Sequence, residues 1–304
     1  MWGCLIHTMN ILAVIFSKDR ALQLHGTLES LRQRCAESQS LPIVVIFKAT
    51  TPEFAQGYAE LKKEFADLLQ IEWIEENHFK QDLLRCLAQP VQGGFLGRIL
   101  GRKPRILHEY VLFMVDDNLF VRHFSLSEAL QELGDHPNAL GFSLRLGKNT
   151  VYCYSNRCEQ PLPAFTETAR GNLRFTWGGQ VGDFGYPLEV SSSIYRTTDV
   201  IKLLQNLPYS NPNRLEQGFS VSIRLFSSGK PELLCFQQSA AFCAPLNKVQ
   251  SVLDNRSGSS GQYSSEALNR MFLDKMRIDI DKIYGFTPKS AHQEIDLPLV
   301  ARSS

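Results

Sequence analysis

The sequence predicts an α/β fold in which a mostly parallel sheet is covered by helices on both faces. Short continuous apolar runs alternate with amphipathic helical stretches through the first half of the chain. This alternation is typical of buried parallel strands joined by helices. The chain has 304 residues, 43% of them hydrophobic, which is enough to bury a substantial core. We therefore expect a Rossmann-like three-layer α/β/α sandwich.

The first half supplies four predicted strands and three predicted helices in alternation. Thr51 is a suitable helix N-cap and Pro52 a suitable first helical residue. The predicted strands are Ile11–Phe16, Ile43–Phe47, Ile71–Ile74 and Tyr110–Val115. The predicted helices are Ala21–Arg34, a helix from Pro52 to about Leu69, and Phe79–Ala88.

The second half is less regular, and Pro161–Gly185 is rich in turn residues. We expect residues 9–304 to form one domain. Met1–Thr8 is expected to be a disordered leader, because Met9 stands immediately before the first strand pattern. The segment lacks the basic start of a secretory signal. The predicted elements are helices at Leu126–Leu133, Val200–Leu207, after Asn213 and at Glu266–Met276, and strands at Ala139–Leu146 and Thr150–Tyr154.

Composition excludes several classes of protein. The 32 Lys and Arg residues nearly balance the 31 Asp and Glu residues, which argues against a nucleic-acid backbone as the main partner. The longest apolar runs fall far short of the roughly 20 residues that span a bilayer. The seven cysteines include no Cys-x-x-Cys pair, which favours reduced thiols and a cytoplasmic location.

The segment Pro90–Arg105 combines four glycines, two prolines and four positive charges. It lacks the spacing of a phosphate-binding P-loop, and one interpretation is a solvated basic loop. A second is a lid whose arginines reach a diphosphate. A third is peripheral contact with the inner face of a membrane through residues 95–105, where apolar and basic side chains interleave.

The strongest functional signal lies at the end of the fourth predicted strand. Six apolar residues end abruptly at Asp116, Asp117 and Asn118. Ligands of open α/β sheets bind outside the carboxyl ends of the strands, and adjacent acidic oxygens suit a hard divalent cation. The alternative is an acidic turn that only caps the next element.

Together with Ser17-Lys18-Asp19-Arg20 after the first strand, this motif resembles the GT-A glycosyltransferases, family-2-like enzymes that use nucleotide-diphosphate sugars. The resemblance covers residues 9–125 best and implies a GT-A-like fold with this half binding the donor. It places Ser17, Asp19 and Arg20 near the nucleotide and diphosphate, and Asp116 near the ribose. It places Asp117 and Asn118 at Mn²⁺ or Mg²⁺. Asn118 departs from the family, where many members have an aspartate.

The same resemblance implies that residues 126–304 form the acceptor side. Trp177, Gly178 and Gly179 look like an acceptor loop, although a glycine-rich turn with a core tryptophan is the alternative. Glu216 is the first choice for catalytic base and Asp183 the second. Glu216 also fits a capping box that begins at Asn213. His292 is a candidate metal or diphosphate ligand, or else a surface histidine.

These observations predict a glycosyltransferase of the hexosyltransferase type that moves a sugar from a nucleotide-diphosphate donor to a hydroxyl of a glycan or other acceptor. Metal assistance and inversion at the anomeric carbon are expected, the latter because carboxylate bases are available. Two alternatives stay open: a non-catalytic nucleotide-sugar or glycan-binding protein on this fold, and a sugar-phosphate nucleotidyltransferase. The donor sugar, nucleotide base, acceptor and oligomeric state are not identified by the sequence.

Overall fold

The computed structural model describes residues 10–89, 104–246 and 263–302. The predicted leader Met1–Thr8 lies outside these residues, as does most of the basic loop Pro90–Arg105. No helix within the described ranges is both long and apolar enough to cross a bilayer.

The described residues form seven α-helices, two short 3-10 turns and seventeen strands, many of them only two or three residues long. The helices are α1 (Ala21–Arg34), α2 (Pro52–Phe65), α3 (Phe79–Leu87), α4 (Leu126–Asp135), α5 (Thr197–Asn206), α6 (Pro212–Ser222) and α7 (Ser265–Leu273). The strands are β1 (Ile11–Lys18), β2 (Ile43–Lys48), β3 (Ile71–Glu75), β4 (Ala88–Gln89), β5 (Arg105–Ile106), β6 (Tyr110–Val115), β7 (Asn118–Phe120), β8 (Ala139–Ser143), β9 (Tyr152–Cys153), β10 (Cys158–Glu159), β11 (Thr166–Glu167), β12 (Leu173–Thr176), β13 (Ser193–Arg196), β14 (Glu232–Cys235), β15 (Ala241–Cys243), β16 (Met276–Ile278) and β17 (Leu299–Ala301).

Nine of these strands form one central sheet in the spatial order β11–β12–β14–β8–β13–β6–β1–β2–β3. Strands β3, β2, β1 and β6 pair in parallel, and β13 pairs antiparallel with both β6 and β8. β8 and β14 are parallel, whereas β12 pairs antiparallel with β14 and β11. Seven of the nine strands therefore run in one direction, with β12 and β13 against it. The prediction of a mostly parallel sheet is confirmed.

Two separate apolar cores cover the two faces of this sheet. Along β1, Ile11, Ala13 and Ile15 face one core, with apolar residues of α1, α2, α4 and α7. Leu12, Val14 and Phe16 face the other core, with residues of α3, α5 and α6. Alternate residues of a strand point to opposite faces, so a strand buried on both sides must be apolar throughout. The predicted α/β/α layering is thereby confirmed.

The predicted elements of the first half agree closely with the structure. Helix α1 and strand β6 have the predicted bounds. The Thr51 side chain accepts a hydrogen bond from the Phe54 backbone N–H, as expected of an N-cap. Helix α2 ends at Phe65, four residues before the predicted end at Leu69, and the chain then forms a turn before β3.

The structure of the second half agrees less closely with the predicted elements. Pro161–Gly185 is rich in turn residues, but it also contains the central-sheet strands β11 and β12. The predicted strand Thr150–Tyr154 contains only the two-residue β9. Strands β13 and β14 were not predicted, although both lie inside the sheet. They are four residues long, so neither is long enough to show a clear alternation, and their burial comes from the neighbouring strands.

Candidate active site

The predicted donor-side residues meet where β1 and β6 end side by side. Asp116 Oδ2 accepts a hydrogen bond of 3.1 Å from the Lys18 backbone N–H. Arg20 Nη1 lies 3.1 Å from Asp116 Oδ1 and 3.2 Å from Asp117 Oδ2. Because the two strands are parallel neighbours, their carboxyl ends bring these residues to one edge of the sheet. One guanidinium thus bridges both carboxylates.

Burial and like charge act on Asp117. Burial, together with the adjacent Asp116 carboxylate, raises the pKa of Asp117 to about 6, although Arg20 opposes the shift. Among these three side chains two are acidic and one is basic. The group therefore retains negative charge that a cation near Asp117 would balance.

Ser17 and Asp19 use their side chains to shape the loop ends around this edge. The Asp19 carboxylate accepts hydrogen bonds from the Thr50 backbone N–H at 2.7 Å and from its hydroxyl at 2.8 Å. Asp19 also has a φ of 55°, which few residues other than glycine, asparagine and aspartate adopt readily. Ser17 Oγ shares a hydrogen bond of 2.7 Å with the Tyr58 hydroxyl. Both predicted donor residues are therefore held within the protein, beside Arg20.

Asn118, predicted as a metal ligand, lies within the turn between β6 and β7. Its side-chain oxygen accepts a 2.8 Å hydrogen bond from the Val115 backbone N–H. Its amide nitrogen donates to Cys243 Sγ at 3.1 Å, and the residue is fully buried. An amide held in this way stabilises the turn, so the structure does not offer Asn118 as a ligand.

A second group of charges surrounds Arg145, just beyond the end of β8. Arg145 Nε lies 3.6 Å from Glu189 Oε1, and both side chains are buried. Burial alone would lower the pKa of Arg145, but the nearby carboxylates of Glu189, Asp183 and Glu216 raise it. Arg145 therefore stays charged and draws three acidic side chains toward one point.

Glu216 lies within α6, and its Oε1 accepts a 3.0 Å hydrogen bond from the Val190 backbone N–H. Burial, followed by the charge of Glu189, raises the pKa of Glu216 to about 7, while Val190 and Arg145 oppose the shift. The carboxylate of Asp117 also contributes to the upward shift. Glu216 is thus within electrostatic reach of the donor-side carboxylates.

The capping box predicted at Asn213 is wrong. The N-cap of α6 is Asn211, whose side chain accepts from the Arg214 backbone N–H at 3.0 Å. Glu216 lies one turn further into the helix and points to Val190 rather than back to a cap. The capping-box explanation for Glu216 is thereby removed, and the structural contact of this side chain is the hydrogen bond with the Val190 N–H.

Asp183, the second predicted base, lies in the 3-10 turn Gly182–Gly185. Gln160 binds it twice: Gln160 Nε2 donates to Asp183 Oδ2 at 3.2 Å, and the Asp183 backbone N–H donates to Gln160 Oε1 at 2.9 Å. Burial raises the pKa of Asp183, and Arg145 acts against this shift. Both predicted bases therefore share the environment of Arg145.

His292 lies against β15, where it forms an isolated backbone bridge with Cys243. Burial, and then the charge of Arg145, lowers the pKa of His292 to about 3, so the imidazole is neutral. Its Nδ1 is buried without a hydrogen-bond partner in the part of the chain that the structure describes. Because Cys243 also contacts Asn118, His292 lies close to the end of β6.

Trp177, predicted to stack on a sugar, belongs to the apolar core. The side chain is buried beside Phe175 and Phe184, and its Nε1 donates to the Lys230 carbonyl at 2.7 Å. Gly178 and Gly179 form an exposed turn, and Gly179 needs its φ of +82° there. The structure thus favours the alternative of a glycine-rich turn with a core tryptophan.

The three predicted metal ligands do not form a preformed metal site. Across residues 10–89, 104–246 and 263–302, no group of three or more His, Cys, Asp or Glu side chains is arranged to hold a metal ion. Asp117 keeps its carboxylate at the end of β6, whereas Asn118 is held in the turn. Magnesium commonly binds through one or two carboxylates plus substrate phosphates, so Asp117 still suits a cation that arrives with the donor.

Sequence reasoning missed Arg145 and Glu189. A signal for Arg145 was present, since it is a single charge in the apolar run Ala139–Leu146. A charged residue in a buried strand requires a partner. The partner Glu189 lies 44 positions away in an irregular segment, so no local pattern could identify it.

No protein-family model matches the chain. The bifunctional glycosyltransferase pgtA of Dictyostelium discoideum is 27% identical over 268 residues, which cover 80% of this chain and 32% of that protein. This chain is related to glycosyltransferases. The resemblance predicted from the sequence is confirmed, and the chain spans about a third (32%) of this glycosyltransferase relative's length.

Two solved structures are also similar to this glycosyltransferase-related chain. S. aureus TarS 1–349 in complex with UDP has a TM-score of 0.46 and 16% identity, covering 76% of this chain and 59% of that one. Mannosyltransferase PcManGT from Pyrobaculum calidifontis, in complex with GDP-Man and Mn²⁺, has a TM-score of 0.40 and 11% identity, covering 75% and 55%. These likenesses concern the fold alone. The predicted three-layer α/β class with a mostly parallel sheet is confirmed by the sheet and helix layers described above.

Proposed function

We propose that this protein transfers a hexosyl group from a nucleotide-diphosphate sugar to a hydroxyl of a glycan or other acceptor. The observation that carries the proposal is that Arg20 bridges Asp116 and Asp117 at the donor-side strand ends, and that the charge of Asp117 contributes to the raised pKa of Glu216, the predicted base. A glycosyl transfer needs these two groups in one site. The leaving diphosphate must be stabilised while the acceptor hydroxyl loses its proton.

On the donor side, Arg20 and Asp116 have complementary tasks. The Arg20 guanidinium, already at the strand ends, supplies N–H donors and positive charge to the diphosphate. The buried Asp116 carboxylate is a hydrogen-bond acceptor for ribose hydroxyls. Donor binding would then compete with the ion pairs that Arg20 makes in the free protein.

Asp117 would hold a divalent cation together with the diphosphate of the donor. The two carboxylates that share one guanidinium leave the negative charge that such an ion balances. The cation would supply neutralisation of the charge that develops on the leaving diphosphate. Neutral His292 is a further nitrogen donor near this edge, while Asn118 does not take part.

On the acceptor side, Glu216 would accept the proton of the attacking hydroxyl. A base whose pKa is about 7 is half ionised near neutral pH and still strong enough to remove a proton. The positive charge of Arg145 attracts the surrounding carboxylates and favours their ionised form. A carboxylate base that activates the hydroxyl for in-line attack gives inversion, with Asp183 as the second candidate.

Isothermal calorimetry tests the donor site directly. UDP-, GDP- and CMP-linked sugars are titrated into the purified protein with and without Mn²⁺, and into Asp117→Ala. We expect one donor class to bind, at least tenfold more tightly with Mn²⁺, and the metal dependence to vanish in Asp117→Ala. Asp135→Ala is the matched control, because Asp135 is an exposed aspartate in α4 that pairs with a surface arginine.

The other outcomes identify the competing functions. Binding that ignores both Mn²⁺ and the Asp117 variant, with no sugar transfer, would favour a non-catalytic binding protein. Release of pyrophosphate from a nucleoside triphosphate and a sugar phosphate would favour a nucleotidyltransferase. Failure to bind any donor would contradict the proposed function itself.

A cytoplasmic location with peripheral membrane contact stays a prediction. Of residues 95–105, only Pro104 and Arg105 belong to the described chain. Liposome sedimentation with anionic vesicles is the test. Absence of the protein from the pellet would reject the membrane contact.

A further inference from the structure

Two cysteines face each other across a short ribbon beside the candidate active site. Strands β9 and β10 pair antiparallel, and Cys153 lies directly opposite Cys158. Both thiols are free. Directly opposed residues in an antiparallel pair point to the same face of the ribbon, so the two sulfur atoms lie on one side.

The backbone spacing of such a pair suits a disulfide. Opposed Cα atoms in antiparallel strands are about 4.5–5.5 Å apart, within the range of about 4.4–6.8 Å that disulfides need. Their Cβ atoms, typically about 4.5–5.5 Å apart, must approach to about 3.8 Å. A shift of roughly an ångström, easily taken up by a two-residue ribbon, would allow the bond to form.

The two thiols differ in access. Cys158 is exposed, whereas Cys153 is buried. Burial, together with the nearby charges of Asp183 and Cys158, raises the pKa of the Cys153 thiol. An oxidant in solution therefore meets Cys158 first, and Cys153 lies beside it as the resolving thiol.

The ribbon also holds the loop of the second predicted base. A Cβ placed on Gly182 would lie 3.1 Å from Cys153 Cβ and 2.1 Å from Gln160 Oε1. Gln160, next after β10, makes the two hydrogen bonds to Asp183. Its Nε2 also donates to the Thr150 carbonyl, on the other side of the ribbon. A change in the backbone conformation of the ribbon would therefore alter the contacts that hold the Gly182–Gly185 turn.

We propose that Cys153 and Cys158 form a reversible oxidation site. When a hydroperoxide oxidises the two thiols to a disulfide, the bond fixes the ribbon against the Asp183 turn. The Cys158 sulfur attacks the peroxide oxygen, which gives a sulfenic acid and releases water or an alcohol. The Cys153 thiol then attacks that sulfur and forms the disulfide, and a second water leaves. A dithiol reductant restores both thiols by exchange.

Peptide mapping tests the bond itself. Trypsin cleaves after Lys148, Arg157 and Arg170, so each cysteine falls in its own peptide, 149–157 and 158–170. After one equivalent of hydrogen peroxide and alkylation of the remaining thiols, we expect these peptides joined with the loss of two hydrogen atoms. A dithiol should separate them. The joined peptide should be absent from Cys158→Ser and present in Cys86→Ser, the control at another thiol outside the ribbon.

The proposal fails if Cys158 gives only sulfinic acid or mixed disulfides while the peptides stay separate. It also fails if the peptides join equally well in urea-unfolded protein, since the folded ribbon would then have no part in the pairing.

Hydrogen exchange tests the connection to the Asp183 turn. We expect amide exchange in residues 182–186 to slow severalfold in the oxidised protein, with no change in Cys158→Ser treated in the same way. Equal exchange before and after oxidation would overturn the connection. Neither measurement requires sugar transfer, so this inference stands or falls separately from the proposed function.

Discussion

Glu216 shows how neighbouring charges give one carboxyl group a proton affinity that its residue type does not. The side chain is anchored by the Val190 N–H while Glu189 and Asp117 act on it from other segments. Burial and these carboxylates outweigh Arg145, so the pKa of Glu216 reaches about 7. The group is then suited to accept a proton near neutral pH.

Replacing Glu216 by Gln tests its role as a base. The amide keeps an oxygen for the Val190 N–H but cannot take a proton, so we expect kcat to fall by about 10²–10⁴-fold with donor affinity unchanged. In the wild type, kcat/KM should rise with pH through about 7 as the carboxylate forms, and this rise should disappear in the variant. Steady-state transfer rates between pH 5.5 and 8.5 provide the measurement.

Asp183→Asn is the comparison for this prediction. If Glu216 is the base, the Asp183 variant keeps the pH dependence and loses less activity. The reverse result would move the role to Asp183 and contradict the assignment of Glu216.

Glu216→Gln should also change the pH dependence of the free energy of unfolding, in a direction that follows from the raised pKa. The pKa of Glu216 is about 7 in the fold against an ordinary value of 4.5, so the folded state binds the proton more tightly. The stabilisation of the fold by the protonated Glu216 carboxyl is complete below pH 4.5 and is lost as pH rises through about 7. Glu216→Gln should therefore be more stable than the wild type at pH 8, measured by urea unfolding. If Glu216→Gln were less stable than the wild type at pH 8, the conclusion that the ionised Glu216 carboxylate destabilises the fold would be wrong.

At the scale of single elements, the start of α6 decides where Glu216 points. The capping residue is Asn211 and Pro212 occupies the first turn, so Glu216 falls on the side of the helix toward Val190. A start two residues later would turn Glu216 by about 200° in helical register. The N-cap therefore positions the predicted base.

Asn211→Ala should destabilise the protein by about 1 kcal/mol, because the Arg214 N–H loses its acceptor. Asn213→Ala, two residues into the same helix, should change the free energy of unfolding by less than about 0.5 kcal/mol. Urea unfolding of both variants compares them directly. Equal losses, or a larger loss for Asn213→Ala, would place the helix start where the sequence alone had suggested.

At the scale of the whole molecule, Glu64 connects segments distant in sequence. Its carboxylate accepts hydrogen bonds from Arg277 Nη2 at 2.8 Å and from Arg277 Nε at 3.2 Å. His25 Nε2 lies 3.0 Å away, and Arg302 also pairs with Glu64. Burial lowers the pKa of His25 to about 3, so the ring is neutral and donates from Nε2. Helices α1 and α2 are thereby joined to the antiparallel pair of strands β16 and β17.

Glu64→Gln removes the charge that compensates Arg277, which is 5% exposed. A buried guanidinium left without its carboxylate is costly, so we expect a loss of about 3 kcal/mol in the free energy of unfolding. Glu60→Gln removes a glutamate one turn earlier in α2 whose partners Lys63 and Lys275 are exposed. That control should lose less than about 0.5 kcal/mol. Similar losses in the two variants would show that the Glu64 cluster does not stabilise the pairing of β16 and β17 with the helices.

Local pattern alone was enough to predict much of this protein. The apolar strands β1, β2 and β6 are buried on both faces, so their sequences are continuous and easily recognised. The helix N-cap at Thr51 and the acidic end of β6 are likewise local signals. The resemblance to glycosyltransferases depended on the residues that follow β1 and β6.

Tertiary structure decided what depends on partners distant in sequence. Strand β13 is short and carries no clear periodicity, yet it lies between β6 and β8 because both neighbours need its hydrogen bonds. Trp177 lies in the same apolar core as Phe175 and Phe184 rather than at a ligand. Arg145 and Glu189 form a pair only after the chain returns past β8, since charges interact through space and not along the sequence.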